Sequence, residues 1–289
     1  MTREQAGLML MLAGAVVDST SGLFTRLLQA DGFTTASGRG FFALVLLLGV
    51  LIWRDRRRAG AALAGIGVVG LAFALLNAGG MVMNILSLKY TSVASFFRNF
   101  AAAPFVAALT GRAVLGERPE TATLLAALAG FAGIAVMMLT GAQAGGQMLG
   151  KLLAVGCVLT YASVVLIVRG PPGMDILPVL CLTVGLSGII AWPFADFSRL
   201  TVPDRGLFAV FGMVQLGIGN LLIFAAAARF PPAQSGLLGI LNAAFAPAWV
   251  FAVLGEVPDR ATLLGGAIIL GAAVAHLGWT LTRRPAATA

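Results

Sequence analysis

The stretch VLGERPETATLL at residues 114–125 returns as VLGEVPDRATLL at residues 253–264. Nine of the twelve letters are identical, and the two copies start 139 positions apart in a chain of 289 residues. Because this spacing is close to half the chain length, the sequence predicts a duplicated unit. We place the two repeats at residues 1–143 and 144–289.

The composition of the whole chain indicates a membrane protein. Hydrophobic residues form 59% of the chain and charged residues only 10%, whereas a soluble domain carries about 25% charged residues. The net charge of +8 does not indicate nucleic-acid binding, because the basic residues lie in short connections between apolar runs. Both cysteines lie inside apolar runs, which disfavours a disulfide framework or a metal site.

Ten apolar segments are long enough to cross a bilayer, which takes about 20 helical residues. They lie at residues 5–28, 33–53, 63–86, 91–114, 121–141, 148–169, 176–194, 206–229, 233–254 and 260–282. The first segment resembles a signal peptide, but Glu4 interrupts its basic region, and we interpret it as a retained helix. The predicted fold class is an all-α integral membrane protein with ten transmembrane helices.

The placement of Lys and Arg predicts the orientation of these helices. With a cytoplasmic N-terminus, the inner loops hold eleven basic residues, including the cluster at residues 54–58, and the outer side holds six. Both termini are then cytoplasmic. Five helices per repeat is an odd number, so the second repeat enters the membrane upside down. Inverted repeats are typical of secondary transporters with a site near the midplane, although duplication can also simply enlarge a bundle.

Three ionised residues lie well inside predicted spans, where a charge costs about 2.5–3.5 kcal/mol. These are Asp18, Arg39 and Arg98, all in the outer half of the bilayer. Asp18 can pair with either arginine or carry a proton. Arg98 either receives an anionic substrate group or forms a structural ion pair. For Arg39 we favour a structural role, because it begins a long apolar run.

Other polar side chains share faces of the predicted helices and suggest a common cavity. The predicted substrate-binding residues are Asp18, Asn77, Met81, Ser95, Arg98, Asn99, Thr160, Tyr161, Gln215, Ser235 and Asn242. For each amide the alternative is packing between helices. Pro104 and Pro247 lie within helices 4 and 9 and are predicted hinges, with static kinks as the alternative. For His276, the only histidine, we favour packing over a proton relay.

Enzymatic signatures are missing from the sequence. It has no zinc-type His-Glu pair, no phosphate-binding glycine loop and no plausible nucleophile–histidine set. We therefore expect neither an enzyme nor a bound cofactor. The expected partners are a small-molecule solute and the lipid bilayer, with no nucleic acid and no obligate protein partner.

Several short motifs resemble those of the drug/metabolite transporter superfamily. They are residues 39–43 (RGFFA), residues 86–94 (LSLKYTSVA), Pro104, residues 115–119 (LGERP), Pro247 and residues 254–258 (LGEVP). Their order and duplication are similar to two EamA-type repeats covering almost the whole chain, and in particular to bacterial amino-acid exporters, including the aromatic branch. The resemblance implies a ten-helix carrier of the bacterial inner membrane with a cavity lined chiefly by helices 1, 3, 4, 6, 8 and 9.

The function predicted from residues and resemblance together is export of amino acids or similar small metabolites by alternating access between the repeats. Arg98 would engage a carboxylate and the amides would orient the polar head. One alternative is a carrier of cationic drugs or other metabolites that uses Asp18 as the cation site. Another is a membrane scaffold or receptor without transport activity.

Overall fold

The described part of the chain folds into helices. The computed structural model describes residues 3–91, 147–169, 175–227, 245–246 and 248–255, with isolated positions 93, 96, 106, 264, 267, 268, 271 and 275. Regular structure in these ranges is helical throughout, which confirms the all-α class.

Nine α-helices and four shorter or wider helical segments have defined bounds within these ranges. The α-helices are α1 (Arg3–Ser19), α2 (Ser21–Leu27), α3 (Gly32–Asp55), α4 (Ala59–Ala64), α5 (Gly67–Tyr90), α6 (Gln147–Arg169), α7 (Ile176–Ala191), α8 (Val202–Val210) and α9 (Gly219–Ala227). Arg56–Arg58, Trp192–Phe194 and Phe197–Arg199 form 3₁₀ turns. Phe211–Ile218 is a π-helix, here called the π segment, which joins α8 to α9. Residues 248–254 are also helical.

Four stretches of the described ranges are long and apolar enough to cross a membrane. They are Gly32–Ala64, Gly67–Tyr90, Ile176–Phe194 and Val202–Ile223, with hydropathies of 1.8 to 1.9. The 24 residues of α5 span roughly 36 Å, enough for a hydrocarbon core of about 30 Å. Val68 and Trp53 are 84% and 81% exposed on the outside, as suits a lipid-covered surface. The chain is a multi-pass membrane protein, and the count of ten helices stays a prediction.

Polar residues begin three of these helices. The Asp31 carboxylate accepts hydrogen bonds from the backbone N–H groups of Phe33 and Thr34 at the start of α3. Asp175 caps α7 in the same way. Thr201 and Asp204 form a capping box that begins α8. Because the first N–H groups of a helix have no partner within it, these caps fix where each span starts.

The third span of the first repeat packs antiparallel against the first span of the second. Ser87 of α5 donates a hydrogen bond to the Gly150 carbonyl of α6 at 2.7 Å. Further along, a Cβ added at Gly80 would lie 2.5 Å from the Thr160 hydroxyl oxygen. Glycine at position 80 therefore lets α5 and α6 approach closely.

The same relationship holds with the repeats exchanged. The first span of the first repeat, α1, runs antiparallel to α9, which ends the third span of the second repeat. A Cβ at Gly14 would lie 3.0 Å from the Ile223 side chain, and a Cβ at Gly219 would lie 3.4 Å from Val17.

The second spans of the two repeats, α3 and α7, also pack antiparallel to each other. Ser37 donates to the Gly188 carbonyl at 3.0 Å. At the far end, Arg54 forms an ion pair with Asp175. Exchange of neighbours between repeats, with antiparallel second spans, is the arrangement that an inverted repeat requires.

The first predicted span, 5–28, is interrupted rather than continuous. Thr20 separates α1 from α2, directly after Asp18 and Ser19. The hydroxyl groups of Ser19 and Thr20 donate to the carbonyls of Val16 and Val17 at 2.8 and 2.6 Å. Such local bonds compete with the backbone hydrogen bonds of the helix, so the polar run at residues 18–20 also interrupts the helix.

Two other helices are offset from the predicted spans. The third span was placed at 63–86, whereas α5 runs from Gly67 to Tyr90, and Lys89 near its end donates to the Leu28 carbonyl at 2.7 Å. The eighth was placed at 206–229, whereas α8 begins at Val202, and Pro203 in its first turn has no N–H that needs a partner.

Candidate functional site

A chain of three polar side chains lies in the interior where α1, α3 and the π segment meet. The Gln215 amide nitrogen donates to the Asp18 carboxylate at 3.0 Å and to the Asp18 carbonyl at 3.3 Å. The Gln215 amide oxygen accepts from an Arg39 nitrogen (Nη1) at 3.5 Å. We call these residues the Asp18–Gln215–Arg39 cluster. Gln215 thus stands between an acid and a base.

Arg39 is buried, with only 3% of its surface exposed. Its second terminal nitrogen (Nη2) donates to the Met81 carbonyl at 3.4 Å, and its Nε has no hydrogen-bond partner among the described residues. The guanidinium lies over the ring of Phe211, 5.1 Å from the centroid. Both hydrogen bonds exceed the usual 2.7–3.2 Å range. Arg39 is therefore a buried cation with weak coordination.

The π segment positions Gln215 and Phe211 against α3. A Cβ at Gly212 would lie 2.5 Å from the Arg39 carbonyl oxygen and 3.0 Å from the Ala43 nitrogen, so glycine allows the backbones to touch. A π-helix holds more residues per turn than an α-helix, and π turns are frequent at functional sites. The wider turn brings the Gln215 side chain inward, where it is 2% exposed.

Two aromatic rings adjoin the cluster. Phe24 of α2 stacks on Phe211 with ring centroids 5.2 Å apart and an interplanar angle of 19°. Phe211 is fully buried, and the Arg39 guanidinium also lies over its ring. An apolar wall beside a few polar groups is the usual composition of a small-molecule site.

The break in the first span is joined to a later part of the second repeat. Trp249, in the helical residues 248–254, donates from its indole nitrogen to the Ser19 hydroxyl at 3.0 Å. Ser19 is fully buried and follows Asp18 directly. Two separate parts of the second repeat, the π segment and residues 248–254, thus contact the region around Asp18.

The structure brings three of the predicted site residues together. Asp18 and Gln215 are hydrogen bonded, and Met81 contributes its backbone carbonyl to Arg39. Asn77, half-buried, lies one turn before Met81 on α5.

Thr160 and Tyr161 lie on the neighbouring helix α6. The Thr160 hydroxyl donates to the Cys157 carbonyl of its own helix at 2.9 Å and packs against Gly80. Tyr161 is placed on α6 by its backbone alone.

The remaining predicted positions lie outside the described residues. They are Ser95, Arg98, Asn99, Ser235 and Asn242 of the site and the hinge prolines Pro104 and Pro247, together with His276. For these the sequence-based roles stay predictions.

Arg39, Phe211 and Phe24 lie at the cluster but are not among the predicted substrate-binding residues. A structural role was favoured for Arg39 because an apolar run follows it; the structure shows that it donates to Gln215, and a role in binding is a proposal. The cost of a charge inside a span is the signal that pointed to Arg39. No comparable signal existed for the phenylalanines, since an apolar ring in a membrane helix is common.

Within the described residues, no group of three or more His, Cys, Asp or Glu side chains could hold a metal ion. The cluster itself offers charge, hydrogen bonds and aromatic contact for recognition.

Comparison with known proteins agrees with this architecture. The model of the EamA-like transporter family matches residues 5–139 and again residues 148–277. A solved crystal structure of a protein aligns with 98% of this chain and 100% of its own chain, with a TM-score of 0.67 and 19% identity. At that identity the likeness concerns the fold alone. No curated protein matches the chain. Because the two family matches cover most of the sequence, the chain belongs to the EamA-like transporter family, whose members carry small solutes across membranes.

Proposed function

We propose that this member of the EamA-like transporter family exports amino acids, including aromatic ones, or similar small metabolites by alternating access. The protein would lie in a bacterial inner membrane with both termini in the cytoplasm. The cluster of basic residues at Arg54–Arg58, beyond the end of the second span, supports that orientation, because cytoplasmic loops are enriched in Lys and Arg.

The observation that carries the proposal is the Asp18–Gln215–Arg39 cluster. Asp18 and Arg39 belong to the first family match, and Gln215 belongs to the second. Secondary transporters built from inverted repeats hold their substrate where the repeats meet. Polar groups inside a membrane are costly and usually mark a substrate or ion pathway. The cluster is therefore where we expect the solute to bind.

An amino acid suits the chemistry of this cluster. Its zwitterionic head carries one anion and one cation, and the cluster offers one buried cation, Arg39, and one acid, Asp18. The stacked rings of Phe24 and Phe211 offer an apolar surface for a side chain. Arg98, Asn99 and Asn242 are proposed to complete the site on the remaining helices.

Reconstitution into liposomes tests the proposal. The full chain is purified and reconstituted, and flux of radiolabelled amino acids is measured with and without a pH gradient. We expect saturable flux of at least one amino acid, and stimulation by the gradient would indicate that Asp18 carries a proton. An absence of flux for all amino acids would favour the scaffold or receptor.

A cationic solute is the second candidate, and Asp18 is the observation that favours it. Its carboxylate accepts from a neutral amide that a cation can displace. Flux of a lipophilic cation in the same liposomes, abolished by Asp18→Asn while amino-acid flux stays absent, would establish this alternative.

A further inference from the structure

The Gln215 side chain has a definite orientation in the cluster. Asp18 offers only oxygen acceptors to it, so the amide nitrogen must face Asp18. Arg39 offers only donors, so the amide oxygen must face Arg39. Gln215 therefore presents one acceptor to the base and one donor to the acid, within a single planar group.

This bridge leaves Arg39 with less than a buried guanidinium requires. Five N–H donors are available, but in the part of the chain that the structure describes the two hydrogen bonds are 3.5 and 3.4 Å long and Nε has no partner. A carboxylate would bind such a group through shorter, charge-assisted and frequently bidentate bonds, roughly twice as strong as neutral ones. The site therefore holds a neutral group where an anion would bind more strongly.

We infer that the Gln215 amide occupies the place of the substrate's amino-acid head group in the empty transporter. On binding, the substrate carboxylate replaces the amide oxygen at Arg39, and the substrate ammonium replaces the amide nitrogen at Asp18. The inference rests on the proposed function and assigns recognition of the carboxylate to Arg39. It also defines the substrate class, because only a solute that carries an ammonium and a carboxylate on the same carbon replaces both contacts.

The exchange changes how the two repeats are joined. In the structure Gln215 connects the second repeat to Asp18 and Arg39 of the first. A bound zwitterion takes over the hydrogen-bonding contacts of Asp18 and Arg39, which both belong to the first repeat, and so releases Gln215 of the second. Substrate binding thereby weakens a contact between the repeats, which is what a carrier needs in order to move only when loaded.

Three probes test the pairing of charges. L-phenylalanine has both charges, L-phenylalaninamide lacks the carboxylate, and 3-phenylpropionate lacks the ammonium. Binding to the full-length protein is measured by thermal shift in detergent, and competition with labelled phenylalanine is measured in proteoliposomes. We expect each analogue to bind at least about tenfold more weakly, the loss that follows from one charge-assisted bond. An analogue that binds as well as phenylalanine overturns the inference.

Gln215→Leu tests whether Gln215 stands in the substrate's place or binds the substrate directly. The variant keeps side-chain bulk but removes both bridging atoms. If the amide occupies the substrate's place, the empty variant melts at a lower temperature, and phenylalanine raises its melting temperature more than it raises that of the native protein. If Gln215 instead binds the substrate directly, the affinity for phenylalanine falls, and the inference is overturned.

Arg39→Gln is expected to abolish the preference for phenylalanine over its amide. Arg205→Gln, the same change at an exposed position of α8, is the matched control and should keep that preference. If Arg39→Gln does not fold, the three probes on the native protein and Gln215→Leu still decide. Native protein that moves phenylalanine without preferring it to its amide contradicts this inference alone. Native protein that neither binds nor moves any amino acid contradicts the proposed function as well.

Discussion

Two arginines of α3 contact the second repeat in opposite ways. Arg54 bonds Asp175 through both terminal nitrogens, and the two side chains are 40% and 50% exposed. Arg39 lies 15 residues earlier, roughly 22 Å along the helix; it is buried and meets a neutral amide at 3.5 Å. The exposed arginine has the strong partner and the buried one has the weak partner.

This difference distinguishes Arg54, which holds two helices together, from Arg39, which is proposed to recognise a ligand. An ion pair that water can reach contributes little, because the charges are already well solvated and held by mobile side chains. A buried cation with weak partners is costly, and we expect that cost to be offset when a ligand supplies the missing acceptor. Substitutions of Arg39 and of Arg54 should therefore differ sharply in their effect.

The largest effect is expected from removing the buried charge. Arg39→Leu leaves the Asp18 carboxylate without the cation that the Gln215 amide connects to it. Transport should fall to background in proteoliposomes, because the cation proposed to bind the substrate carboxylate is gone. The melting temperature in detergent should change little, since losing two long hydrogen bonds is offset by no longer burying a charge. Native-like flux in this variant would show that Arg39 only fills space.

Gly212→Ala should have the next largest effect, because it separates the π segment from α3. The new Cβ would lie 2.5 Å from the Arg39 carbonyl oxygen, a backbone atom that cannot rotate away. We expect a loss of about 1–3 kcal/mol, measured by thermal unfolding, together with reduced flux. Gly206→Ala in α8 is the control, since no atom lies within 4 Å of its Cβ position; equal losses would contradict the close approach.

Gly80→Ala tests the packing of α5 on α6 more gently. Its Cβ would lie 2.5 Å from the Thr160 hydroxyl oxygen, which is a side-chain atom and can move. We expect about 1 kcal/mol of destabilisation, recovered in part when Thr160→Ala is added, because contacting residues are not additive. The adjacent Gly79→Ala, with open space around its Cβ, should be neutral. Simple additivity in the double variant would argue against direct contact.

The smallest effect is expected at the exposed end of α3. Arg54→Gln removes the ion pairs with Asp175 and Asp55 and should cost less than about 1 kcal/mol, diminishing further at high salt. Phenylalanine affinity should not change. A loss of transport as large as that of Arg39→Leu would contradict the proposed difference between the two arginines.

The fold could be predicted further from the sequence than the site. The duplicated stretch and the apolar runs predict a membrane protein with two repeats, because hydrophobic length and repetition are properties of the chain itself. Asp18 and Gln215 were also recognised, because a charge or an amide inside an apolar run is costly wherever it lies.

The pairing of Asp18 and Gln215 could not be read from the chain, because they are 197 positions apart and meet only through packing across the repeats. The contact between Arg39 and Gln215 could not be read from the chain for a related reason. The apolar run that follows Arg39 indicates burial, but burial does not distinguish packing from recognition. The π segment was missed because the hydrophobic period barely changes over one wide turn.

The π segment also has a consequence for motion. Its turns are wider than those of an α-helix, which offsets the register between α8 and α9. If the segment tightened by one residue towards α geometry, everything after it would turn by about 100° and shift by about 1.5 Å along the axis. Gly219 and the rest of α9 would then present a different face to α1. A single helix can in this way rotate one of its halves while the other stays packed on α3.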